Sequence, residues 1–192
     1  MHLSGKEPTM KQFLLLGISL ILLCSSCKKN KPVNPIDQLP PETQTGANTF
    51  GCLVDGKVFL PKGDPFGGPV KKAQYQLVNG KQGFGVSARR SEGNESKIVG
   101  IIGDSIKVSV GTFNLTSLTS GKFRGGYTYR DLTNPSGISY YTNEVQRGQI
   151  IIKNFDTVNQ IVSGTFWFDA IDTATSKIIQ VREGRFDLPY VR

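Results

Sequence analysis

The chain has 192 residues, with 23 Lys and Arg against 15 Asp and Glu, one histidine (His2) and three cysteines. A lone histidine at the extreme N-terminus excludes Ser-His-Asp and Cys-His catalysis and the usual zinc sites for the rest of the chain. The formal charge of +8 invites a nucleic-acid reading, but the basic residues of the domain are scattered without a run, which argues against that partner.

Taken in order, the first feature is an apolar run. Met10 and Lys11 precede Phe13 to Leu23, and the run closes with Cys24-Ser25-Ser26-Cys27. A basic start, a short apolar stretch and small residues before a cut form a secretory signal peptide. The run is short for a spanning helix, which needs roughly 20 apolar residues. Leu23-Cys24-Ser25-Ser26-Cys27 resembles the lipobox of bacterial lipoproteins. That resemblance implies that Cys27 is diacylated, that the peptide is cut before it, and that the new amine is acylated. Cys24 is a poor acylation site because Leu23 before it is not small.

Residues 1–26 therefore read as an upstream extension plus a lipoprotein signal peptide. They carry away His2, Lys6, Lys11 and Glu7, leaving 21 basic and 14 acidic residues, a formal charge of +7, and no histidine. Cys52 is left alone beside the acylated Cys27, so no intramolecular disulfide forms and the domain rests on its core. A domain of this length buries about 68–70% of its unfolded surface, which is enough.

Residues 27–47 read as the acylated cysteine and a flexible linker. Lys28, Lys29 and Lys31 stand where they can pair with anionic headgroups, at about 1 kcal/mol each. Pro32, Pro35, Pro40 and Pro41 follow among polar residues, and proline-rich segments extend at about 3.1 Å per residue.

Residues 48–192 read as a single all-β domain. Phe50 to Val54, Asp55-Gly56, and Lys57 to Leu60 predict a hairpin with a two-residue turn. Pro61 to Pro69 is a loop. Lys72 to Val78, Asn79-Gly80, and Lys81 to Ala88 repeat the hairpin pattern. Further strands are predicted over 97–102, 106–115, 122–130, 139–144, 148–155, 161–171, 177–182 and 185–188, with an irregular stretch over 131–137. No window holds a helical period. Short strands broken by frequent turns predict an antiparallel β-sandwich or barrel of about ten short strands.

Gly111-Thr112-Phe113, Gly121-Lys122-Phe123, Gly164-Thr165-Phe166 and Gly184-Arg185-Phe186 share a spacing that suits a strand start or bulge with the ring inward. Thr45 to Val58, Val162 to Phe168 and Glu183 to Asp187 are similar to the opening and closing strands of a family of uncharacterised Bacteroidetes-type lipoproteins. The resemblance implies a β-rich fold and an envelope location, with no catalytic residues. Surface export in such bacteria goes with acidic residues after the acylated cysteine. Lys28-Lys29-Asn30-Lys31 departs from that and favours an outer-membrane anchor facing the periplasm over display on the cell surface.

The chemistry left to the domain is sparse. Cys52, between Gly51 and Leu53, reads as a small buried hydrophobe on the face of Phe50 and Val54. Asp169, Asp172, Glu183 and Asp187 lie in neighbouring strands where a glycosidase pair would need carboxylates about 5–10 Å apart. Any β domain with this many carboxylates offers such pairs. Asp169 to Asp172 lacks the ligand density of a calcium loop, and Gly83-Phe84-Gly85 lacks the following helix of a nucleotide loop. No metal and no cofactor is expected.

Aromatic residues remain. Tyr127, Tyr129, Tyr140 and Tyr141 flank the irregular stretch, and Trp167 is the only tryptophan. Alternation puts Phe166, Phe168 and Ala170 on the core face, and Thr165, Trp167 and Asp169 on the other, with Arg185 and Asp187 opposite Phe186 and Leu188. The sequence thus predicts a lipid-anchored envelope module that binds or builds rather than catalyses. Its partner class is an envelope glycan or protein, and Trp167 is the leading ligand contact. A glycan-binding accessory protein and a His-free hydrolase are the alternatives.

Overall fold

A computed structural model describes residues 34–63, 68–78, 80–131 and 133–192. The signal peptide and Cys27 lie outside the described residues, as do Asn79 and part of the loop expected over 61–69. No described helix is long and apolar enough to cross a membrane.

Among the described residues, eleven strands form one sheet: β1 Thr49–Val54, β2 Lys57–Phe59, β3 Lys71–Val78, β4 Lys81–Glu92, β5 Glu95–Gly103, β6 Gly111–Leu115, β7 Phe123–Asp131, β8 Asn134–Tyr141, β9 Gly148–Asp156, β10 Ile161–Ile171 and β11 Ile178–Pro189. Their lateral order is β2-β1-β11-β10-β9-β6-β7-β5-β4-β3, with β8 bridging β7 and β10. The path then returns on itself. Val191, just past β11, pairs in parallel with Gln74 of β3, donating its N–H to Ala73 O (3.1 Å) while Tyr75 N–H donates to Val191 O (2.8 Å). Closure removes a free edge that would otherwise template pairing with another chain. The all-β expectation holds. The sheet is mixed rather than purely antiparallel, since β6 and β7 also run parallel where Leu115 meets Phe123.

Alternation along the strands fills the interior. Phe84, Val86, Val99, Ile101, Phe123, Ile150, Ile152, Val162, Phe166, Phe168, Val181, Phe186 and Leu188 all belong to one buried cluster. Rings dominate it: Phe123 packs edge-on against Phe84 (5.6 Å) and Phe113 (5.0 Å), and Phe155 stacks on Tyr190 (5.3 Å) under Tyr75. Such pairs add about 0.5–1.5 kcal/mol beyond their burial. The four Gly-x-Phe rings enter this core, Phe113 only partly. Cys52 is fully buried there, and burial pushes its thiol well above the usual range.

Three strand expectations change. The strands expected over 177–182 and 185–188 are one, β11. Of 106–115 only Gly111–Leu115 is strand. Residues 106–110 instead fold Ile106 and Val108 inward across one end, with Ile106 N–H on Gln82 O (3.0 Å). The stretch expected to be irregular, 131–137, supplies the first half of β8. Apart from Tyr141 its pairing is to β7 alone, so Pro135 sits where a missing donor is tolerated. The Asp55-Gly56 turn has φ of 48° and 74°, as a two-residue hairpin turn requires, and Gly80 has φ 75°.

The compact unit begins at Asn34, not Asn48. Residues 34–47 form a strap on the outside of the sheet, opening with a 3-10 turn over Pro35–Gln38 and burying Leu39. Its anchor is polar. The Asp187 carboxylate has no exposed surface and accepts from Thr43 Oγ1 (2.7 Å) and the N–H groups of Thr45 (3.0 Å), Gly46 (2.8 Å) and Ala47 (3.0 Å). Lys153 pairs with Glu42, and Asn154 donates to Gln44 O (3.1 Å). Proline content and polarity suggested a free linker because the segment has little to bury. What fixes it is one carboxylate on another strand.

Candidate functional site

The outer face of β9, β10 and β11 carries an open cleft of about 390 Å³, lined by Gln149, Thr165, Trp167, Arg182, Arg185 and the strap residue Glu42, among others. Trp167 is 40% exposed, whereas Phe166, Phe168 and Ala170 are buried. The expected face assignment is therefore the observed one.

A bulge shapes this cleft. Phe166 pairs with Gly184 and Phe168 with Val181, so two residues of β11, Arg182 and Glu183, stand opposite Trp167. The β1–β11 register slips at the same place, between Gly51 and Leu53. The extra residue reverses the alternation of β11: Ile179 and Val181 are buried before it, Phe186 and Leu188 after it. Arg182, Glu183 and Arg185 thereby reach the outer face together. Glu183 adopts φ 53°, a left-handed conformation that a non-glycine residue seldom takes. Gly184 is tight against the core, since a Cβ there would lie 2.5 Å from the Phe166 ring. Bulges of this kind often re-aim side chains beside functional sites.

The cations in the cleft are engaged. Arg182 donates through Nη2 to Asp169 Oδ1 (2.6 Å) and through Nη1 to Phe168 O (3.0 Å) and Val181 O (2.9 Å). Its guanidinium carbon lies 5.5 Å from the Trp167 ring centroid, within cation–π range. Arg185 donates to Glu183 O (3.4 Å) and Pro40 O (3.3 Å), with the Glu183 carboxylate 3.6 Å away. The result is a propped aromatic face, rimmed by hydrogen-bonding groups whose charges already balance one another.

The tyrosines singled out in the sequence do not join Trp167. Tyr140 is in the core and Tyr127 packs against it, with rings 5.9 Å apart, and burial raises the Tyr127 hydroxyl to about 12. Tyr129 is held by Glu95 through its hydroxyl (3.3 Å) and by Lys97 over its ring (5.8 Å). Tyr141 faces outward beneath Arg124, whose guanidinium carbon is 4.0 Å from the ring centroid. It pairs with Ile171, four residues along β10 from Trp167. They form no single platform.

The four carboxylates have separate duties. Asp169 holds Arg182, and Asp187 holds the strap. Asp172 caps its own turn through Ala174 N–H (3.0 Å) and Thr175 Oγ1 (2.6 Å), and these bonds keep its carboxyl below the ordinary range. Glu183 stands on the bulge. Among the described residues, no group of three or more His, Cys, Asp or Glu side chains is placed to hold a metal ion.

Sequence reasoning missed Arg182, Glu42 and the bulge. One signal was present: the apolar positions of β11 switch from odd numbers at Ile179 and Val181 to even at Phe186 and Leu188, which demands one extra residue between them.

No curated protein and no solved structure matches the chain. Residues 71–188, from the start of β3 almost to the end of β11, match the family model described as Domain of unknown function (DUF6252). That span is more than half of the 192 residues, so the chain belongs to this family of unknown function.

Proposed function

We propose that the protein is a lipid-anchored envelope binding module, tethered through Cys27, that holds its ligand on Trp167. The observation that carries this reading is the half-exposed indole ring braced by Arg182 in a cleft built by the β11 bulge. A solitary exposed apolar residue needs no explanation. This one is backed by a guanidinium, a carboxylate and two main-chain carbonyls, an investment of interactions that a mere sheet cover does not require. The anchor rests on the lipobox, Leu23 to Cys27, and an envelope location follows from it.

A glycan is the ligand class we favour. A sugar offers an apolar face to stack on indole and hydroxyls to reach groups such as Gln149, Thr165 and Glu183. Because Arg182 and Arg185 are already satisfied by the chain's own acceptors, the cleft suits a neutral sugar better than an acidic one. The non-catalytic reading is supported by the separate structural duties of Asp169, Asp172 and Asp187.

The test is the emission of the single tryptophan, titrated with neutral and acidic envelope polysaccharides and with peptides. Saturable shifts with neutral glycans, lost in Trp167→Ala by a parallel binding assay, support the reading. Binding that survives Trp167→Ala unchanged overturns it.

A further inference from the structure

We infer that one rim of the barrel is a membrane-docking face that fits a bilayer surface bearing anionic headgroups. Four separate segments meet at this rim. The β3–β4 turn follows Leu77, and Ile106 N–H on Gln82 O brings the loop over 104–110 beside it. Val110 leads into Gly111, opposite Ile152 of β9. The β9–β10 turn over 157–160 receives the chain end, with Tyr190 N–H on Gln160 O (2.8 Å) and Arg192 on Thr157 O.

Each segment presents an aliphatic side chain: Leu77, Val110, Val158 and Val191 are 55–86% exposed. Lys81, Lys107 and Arg192 stand among them, exposed and in no ion pair among the described residues. The acids of this rim are bonded within their own loops: Asp156 accepts from Val158 and Asn159, and Asp104 from Ser105. The opposite rim differs. Its charges meet one another, Glu92 with Lys62 and Arg90, and Glu95 with Lys97. Apolar tips flanked by cations that stand outside ion pairs complement an anionic bilayer surface rather than a neutral partner.

The tether bears on distance rather than on the choice of rim. With residues 34–47 docked as a strap, only six residues separate Cys27 from Asn34. Fully extended, that connection spans at most about 25 Å. Acylation at Cys27 would hold the domain within its own diameter of the bilayer. Only this tether argument rests on the anchor proposed above; the rim's composition does not.

The test uses residues 34–192, the compact unit without any acylation site, and follows its co-sedimentation with phosphatidylcholine vesicles containing phosphatidylglycerol and with pure phosphatidylcholine vesicles. The expected result is salt-sensitive partitioning onto the anionic vesicles. Lys81→Gln with Lys107→Gln should weaken it about 25-fold, near fivefold per cation. Leu77→Asp with Val158→Asp should abolish it, and Val145→Asp, exposed in the loop before β9, should leave it intact. Absence of partitioning onto either vesicle, or partitioning that the rim variants leave unchanged, overturns the inference. Neither outcome depends on whether Cys27 is acylated or Trp167 binds a glycan.

Discussion

Asp187→Asn should release the strap. The carboxylate meets only donors, three on Oδ2 and one on Oδ1. An asparagine keeps one acceptor oxygen. If that oxygen takes the Oδ2 place, its NH₂ faces the Gly46 N–H, donor against donor. Hydrogen bonds to a charged group contribute about 1.5–3 kcal/mol each, but an undocked strap returns its donors to water, so only part of the sum is lost. We expect a destabilisation of about 2–4 kcal/mol, which lowers Tm by roughly 5–15 °C for a domain of this size. The pH dependence has a definite sign. Burial alone would raise this carboxyl, but the bonds from Ala47, Thr43, Gly46 and Thr45 outweigh it and hold the group below its ordinary value. A depressed folded value means that the stabilisation is complete above the unfolded pKa of about 3.9 and is lost as pH falls through the folded value. The parent should therefore shed the strap only in acid, and the variant at neutral pH. Glu42 is the only glutamate in the strap, so cleavage there by a glutamate-specific protease, followed by mass, reports undocking. An unchanged Tm together with unchanged protection of Glu42 would refute the reasoning.

Fatty-acid labelling should vanish in Cys27→Ala and persist in Cys24→Ala; the opposite pattern moves the anchor. Gly56→Val and Gly80→Val, both at φ near 75°, should each cost about 1 kcal/mol or more in denaturant melts. Gly184→Ala would drive a methyl into the Phe166 ring, and overpacking of this kind costs about 1–3 kcal/mol, with the Trp167 emission changing as the bulge shifts. Native Cys52 should resist thiol reagents and react only on unfolding, since it is buried and its thiol is held protonated.

Much of this fold is legible in the sequence where local chemistry decides. Asp55-Gly56 and Asn79-Gly80 mark hairpins because few other residue pairs relieve positive φ. Phe166, Trp167 and Phe168 declare their faces because a strand alternates. What was not legible depends on partners distant in the chain. Nothing near Thr43 to Ala47 announces an acceptor some 140 residues away, so a docked strap looks like a linker. Tyr127 and Tyr140 look like a platform until β7 and β8 pair and turn both rings toward the core. Arg182 becomes part of the cleft only through a bulge, which a break in alternation implies but does not locate.

The central claim, that the Trp167 cleft binds a ligand, is tested most directly by presenting the protein and its Trp167→Ala variant to one array of neutral and acidic envelope glycans. The account predicts that the parent binds a subset of neutral glycans and that Trp167→Ala, still folded because the ring lies outside the core, binds none of them. Parent and variant binding the same glycans with equal strength, or a parent that binds only acidic ones, would contradict it.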